Sequence, residues 1–230
     1  MKTIMIACET IKKEIELAMA KTGELYPVTW IESGLHENPD KLKEHLQEKL
    51  DEIDEVDRIL LAFGFCGNAV LGLRTGDFEL VIPRAEDCIS LLLGSNEKRR
   101  ETIDLSHTYF LTEGWLENEE NIWKEYQYVV MKYGKERADR VFEIMLKNYH
   151  HLAAIDTGAF DYDKFYQDIL EIAKTLKLEP VKVNGDLSFL EKLLTGPYPE
   201  EQFLILKSGE EVTYEKLRQI EPLSSSGQIK

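Results

Sequence analysis

Three cysteines carry the first chemistry the sequence offers: Cys8 in "IMIACET", Cys66 in "AFGFCGNAVLGL" and Cys88 in "VIPRAEDCISLLLG". Each follows an apolar run of strand character, and the runs are well separated along the chain. A sulfur donor needs a turn that aims it and little bulk nearby, which Gly64 and Gly67 supply around Cys66. Cys88 falls in the first turn of the helix that "DCISLLLG" predicts, where free N–H groups and the helix dipole lower a thiol pKa. One free cysteine alone is more often a small core residue than a ligand. Three of three placed after strands point instead to a shared site. Zinc takes three thiolates and keeps a fourth position open, and a [4Fe-4S] cluster on three cysteines leaves one iron free. The spacing contains no CxxC pair and does not choose between them.

The elements that would bring the cysteines together are legible in the patterning. Residues 2–7, "YPVTWIES", "VDRILLAF" and "FELVIPRA" read as strands. "ETIKKEIELAMAKTG" has helical spacing that stops at Gly23, and a second helix opens at Asn38 as cap with Pro39 at its first position. Strands alternating with helices imply βαβ units, a mostly parallel sheet and right-handed crossovers, with all strand C-terminal ends on one edge. Ligand sites of open α/β sheets form on that edge. "HTYFLTEGW" is a further strand ending near Thr112, followed by a helical block from about Glu119 to Asn148, broken at Gly134. The order from "HLAAIDTG" onward repeats that of the first half, with "EEQFLILKSGEE" in the place of "VDRILLAFGFCGN". The expected architecture is therefore α/β, two Rossmann-like lobes with mostly parallel sheets: residues 1–106 carrying the cysteines, a connecting strand and helical block at 107–150, and a second lobe with a polar tail at 151–230.

Other polar residues fall on the same edge. Arg84 and Asp87 flank Cys88, and the arginine could bind an anion or form an ordinary ion pair. Glu9 could be a fourth ligand or a proton carrier, although a glutamate in a first helical turn also suits the dipole. Gly67 and Asn68 continue the Cys66 turn, Glu113 and Trp115 end a strand, and Asp156 and Thr157 occupy the loop that corresponds to Cys8 in the repeat. His150 and His151 precede their strand, at the opposite edge, and are not expected as ligands. The glycines around Cys66 are not followed by the lysine of a phosphate loop.

The 230 residues carry a net charge of −15 with no basic stripe, which argues against nucleic acid or anionic membranes as partners. No run approaches the ~20 apolar residues of a membrane span, and an odd number of cysteines without an export signal argues against a disulfide framework. A cytoplasmic protein acting on a small molecule is the expectation.

Together, "GFCGNAVLGL", "VIPRAEDCISLLLGS", "YFLTEGW" and "AAIDTGAFD" resemble the DUF1638 family of bacterial and archaeal proteins, over nearly the whole chain. In that family's pattern Cys66 stands in the glycine-rich cysteine loop and Cys88 in the "DC" element. The resemblance implies a setting in anaerobic one-carbon or methylamine-type metabolism, beside corrinoid methyltransferase components, and it assigns no catalytic residue. Three readings follow: a three-cysteine metal centre between the lobes; a metal-free module that binds a small ligand or a partner, with the helical block from Trp123 to Tyr133 as its surface; and an enzyme with one activated thiol, Cys88.

Overall fold

The computed structural model describes residues 1–101, 107–118 and 121–218; the 106/107 lobe boundary, the helix start at Glu119 and the polar tail fall outside them. β1 (Thr3–Cys8), α1 (Lys12–Thr22), β2 (Val28–Ile31), α2 (Pro39–Asp51), β3 (Arg58–Ala62) and β4 (Glu79–Pro83) alternate as the patterning predicts. Helices α3 (Cys88–Leu93) and α4 (Asn96–Glu101) lead on to β5 (Thr108–Leu111), α5 (Glu113–Glu117), α6 (Ile122–Tyr133), α7 (Lys135–Met145), β6 (His151–Asp156), α8 (Tyr162–Leu176) and β7 (Glu179–Asn184). The chain ends in α9 (Ser188–Thr195), β8 (Phe203–Leu206) and α10 (Tyr214–Arg218).

Local chemistry sets the boundaries. Gly23 ends α1 at φ 77°, its N–H bonded to the Met19 carbonyl, a left-handed conformation that glycine adopts without a Cβ clash. Asn38 caps α2 by accepting from the Lys41 N–H at 3.1 Å, with Pro39 at the first position. Gly134, at φ 82°, separates α6 from α7.

Two sheets result. The first has the order β2-β1-β3-β4-β8 and the second β5-β6-β7. β1, β2, β3 and β4 are parallel, as are all three strands of the second sheet. The runs Met5–Ala7 and Ile59–Ala62 are buried without a polar alternate, as strands covered on both faces require. Because β2 lies on one side of β1 and β3 on the other, the order reverses between β1 and β3. A crevice opens outside their C-terminal ends at that point.

The second half keeps the element order of the first but not its sheet. β8, expected as the third strand of a second lobe, pairs antiparallel with β4 in the first sheet, Val81 against Ile205. The chain returns at the C-terminal end of β4, where the Arg84 N–H bonds the Gln202 carbonyl at 2.7 Å, so it can only run back down. α9 likewise packs on α1 and α3, and its Phe189, Leu190, Leu193 and Leu194 join the first core. Within 151–218, only β6, α8 and β7 build the second sheet.

All six residues of α3 are buried. Leu91 and Leu92 belong to the first core, while Ile89 and Leu93 pack with Ala153, Ile155 and Val183 of the second sheet. The seam also buries Glu14 of α1. Its Oε1 accepts from the Thr157 hydroxyl at 3.0 Å, and its Oε2 is buried with no partner. Burial raises the Glu14 pKa, with the Thr157 hydrogen bond opposing it only in part. A carboxyl whose folded pKa lies above its unfolded one leaves stability untouched below the unfolded value and costs stability as pH rises from that value through the folded pKa. Glu14→Gln, which can still accept from Thr157, should raise Tm at pH 7, and the gain should vanish as pH falls to about 4; thermal melts of both proteins from pH 4 to 8 check this.

Candidate functional site

The three cysteines line one cavity of about 280 Å³. Cys8 is the last residue of β1, Cys66 lies four residues past β3, and Cys88 opens α3 after β4. Cys8 and Cys88 are buried and Cys66 is partly exposed.

A strained turn aims Cys66. Its φ is 42°, and Gly67 and Asn68 follow at 67° and 71°, so three consecutive residues occupy left-handed backbone, two of them without the freedom of glycine. Hydrogen bonds to the neighbouring loop hold the turn: the Phe65 N–H donates to the Ala85 carbonyl at 2.7 Å, and the Cys66 N–H to the Glu86 carbonyl at 3.1 Å. Gly64 is required for a different reason, since a Cβ there would stand 2.4 Å from the Asp87 Cα. The same loop presents Cys88. The Asp87 carboxylate caps α3 by accepting from the Ser90 N–H at 3.0 Å, and Arg99 binds its other oxygen at 2.6 Å.

The three thiols neighbour one another in the cavity, with Cys88 interacting electrostatically with both others, and the Cys8 Sγ lies 2.9 Å from the Thr10 hydroxyl. The lowered Cys88 pKa expected from its helix position is not found. Contact with the Cys66 thiol, aided by burial, pushes it well up, and contact with Cys88 does the same to Cys8. Charging one sulfur beside other sulfurs in an apolar pocket outweighs the dipole of a short helix.

Aromatic side chains complete the walls. Phe63 and Ile89 come from the first unit, and Thr108, Tyr109, Phe110, Trp115 and Tyr149 from the second. Tyr109 and Tyr149 meet edge to face, with centroids 6.0 Å apart. Trp115 packs against all three apolar clusters. The cavity thus lies between the two sheets, and among the described residues no Lys, Arg or His lines it. Sequence reasoning found Trp115 but missed Thr10, Tyr109, Phe110 and Tyr149. For Thr10 the available signal was its position two residues after Cys8. The aromatic residues come from β5 and from the segment before β6, which a rule based on C-terminal strand ends passes over.

The remaining expected residues are elsewhere. Arg84 turns to the Glu200, Lys216 and Leu217 carbonyls, binding its own chain rather than an anion. Glu9 is exposed, and neither it nor Gly67 nor Asn68 lines the cavity. Glu113 pairs with Lys13 at 2.6 Å. Asp156 pairs with Lys182 at 2.9 Å. Thr157 borders a separate cleft of about 510 Å³, in which Lys98 pairs with Asp186 and Lys21 with Glu191. His151 begins β6, at the strand end away from Asp156.

Among the described residues no three His, Cys, Asp or Glu side chains stand in the arrangement of a ready ion shell. The donor chemistry of the cavity is nonetheless that of a soft metal: three sulfurs, with its carboxylate, Asp87, engaged by Arg99 and the α3 cap.

The family model for "Protein of unknown function (DUF1638)" matches residues 30–194. The chain belongs to the DUF1638 family. The match takes in Cys66, Cys88 and Trp115 of this DUF1638 protein, while Cys8 and Thr10 precede it. No curated protein and no solved structure matches the chain. No helix among the described residues is long and apolar enough to cross a membrane.

If close backbone approach is what places Cys66 against Cys88, Gly64→Ala should cost about 1–3 kcal/mol or more, because backbone atoms cannot yield as a flexible side chain can. Thermal melts should show Tm falling by roughly 2–4 °C per kcal/mol; an unchanged Tm would refute the packing argument.

Proposed function

We propose that Cys8, Cys66 and Cys88 hold a thiophilic metal centre, a zinc ion or a [4Fe-4S] cluster, and that the aromatic cavity above it receives a small molecule. The observation that carries this reading is that thiols from beyond the ends of three different strands line a single cavity flanked by aromatic rings. Bound, either group would supply a Lewis-acidic position open to substrate. The protein's own groups bind and orient: Phe63, Tyr109, Phe110 and Trp115 exclude water and offer apolar and π surface. With no Lys, Arg or His among the described residues of its walls, the cavity suits an uncharged or cationic molecule better than a carboxylate or phosphate.

Three free cysteines are kept reduced in a cytoplasmic setting, where the reading places the protein. A role beside corrinoid methyltransferase components, implied by the family resemblance, fits a site that takes a small methyl- or sulfur-bearing group. The single-thiol enzyme is disfavoured, since among the described residues no histidine lines the cavity to act as base and the Cys88 thiol is pushed up.

Protein purified without oxygen should contain about one zinc or about four irons per chain, the latter with a brown chromophore. Cys66→Ser, at the most accessible of the three positions, should lose most of that metal while remaining folded. Folded wild-type protein free of metal after anaerobic preparation would overturn the metal reading and favour the metal-free ligand module.

A further inference from the structure

One corner of the cavity is attached to the first unit through a backbone contact and an ion-pair clamp. α5 brings Trp115 over the thiols, and it meets the first unit on the short 3-10 turn Glu9–Ile11. There Gly114 lies so close to the Thr10 carbonyl that a Cβ on it would stand 2.0 Å from the oxygen. The hydroxyl of the same Thr10, itself 1% exposed, is 2.9 Å from the Cys8 sulfur. Thr10 therefore touches α5 with its backbone and the thiol with its side chain. A second attachment is ionic: the Lys13 ammonium reaches Glu113 and Glu117, both at 2.6 Å, at the two ends of α5. Along this seam the Glu14 Oε2 and the hydroxyl of Thr112, next to Glu113, are buried without partners. Unsatisfied buried polar atoms make a closed seam less stable than its contact area implies, and weakly held elements are those that open locally.

We propose that docking of α5 on Thr10 controls access to the Cys8 thiol: α5 opens and closes the cavity, and Thr10 is the positioning residue that transmits its state to the sulfur. The proposal rests on the thiol cavity being the functional site, but not on which metal, if any, it holds. Occupancy of the Cys8 sulfur would in turn hold Thr10, and through it α5, in the closed position.

The test is alkylation of the full-length, reduced, chelator-treated protein by iodoacetamide, with each cysteine followed by peptide mass. Gly114→Ala should raise the Cys8 rate about tenfold, equivalent to about 1.4 kcal/mol of lost seam stability, with Cys66 changing little. Lys13→Met, at a partly exposed position that can lose its charge without a clash, keeps the test alive should Gly114→Ala fold poorly. In wild type the Cys8 rate should rise as salt screens the Lys13 pairs, and in Lys13→Met this salt dependence should be gone. Thr10→Val, which removes the hydroxyl and keeps the carbonyl on which α5 docks, should leave Cys8 covered and weaken its response to Lys13→Met. A merely structural effect would act by global unfolding, raising Cys8 and Cys88 together with a steep dependence on low urea. That result, or Cys8 rates within about twofold of wild type in all variants, overturns the proposal. Protein that takes up no metal but shows the expected alkylation pattern would sink the metal reading alone; protein that binds zinc while Cys8 is unaffected would sink the α5 proposal alone.

Discussion

The fold depends on a six-residue helix that has no outward side. α3 is packed by the first sheet's core through Leu91 and Leu92 and by the second sheet through Ile89 and Leu93. A helix buried all round needs an apolar residue at nearly every position, and "CISLLL" provides it, with Ser90 turned to the Asp87 cap. The consequence reaches the cavity directly. The residue that opens this fixed helix is Cys88, so the central sulfur of the three is set by the packing that joins the two sheets. Sheet-to-sheet packing and site geometry are one constraint.

Against that fixed sulfur, Cys66 is brought up at a cost. Left-handed backbone disfavours most non-glycine residues by roughly 1–2 kcal/mol, and the turn places Cys66 there, followed by Gly67 and by Asn68, a residue type that tolerates it better. Two interloop hydrogen bonds and the missing Cβ of Gly64 offset the strain. Strain of this kind persists where the surroundings over-determine a conformation. Here its effect is to hold a partly exposed thiol against a buried one.

Much of this was legible beforehand, for identifiable reasons. Alternating strands and helices, the Asn38 cap and the glycine stops at Gly23 and Gly134 are local signals, and local signals survive tertiary packing. The meeting of the cysteines followed from a topological rule about parallel strands, so it needed no contact information. What could not be read were long-range choices. "FLIL" at 203–206 is equally apolar in either sheet and in either direction, and only the free edge of β4 decides for the first sheet, antiparallel. Arg84 looked available for an anion because its backbone carbonyl partners lie more than a hundred residues away in sequence. The rise of the Cys88 pKa is hidden because a helix start is visible in sequence and the thiols converging on it are not.

The return of β8 has a bearing on how the molecule is made. Because the second sheet lies between β4 and β8 in the chain, Pro83 must wait for Phe203 before the edge of the first sheet is covered. During synthesis β4 emerges with an open edge, apolar from Leu80 to Pro83, and the entire second sheet is threaded out before its partner arrives. Exposed strand edges of this kind recruit other chains. Nascent chains of this protein therefore pass through an interval of aggregation risk that the finished fold, with β8 in place, no longer shows.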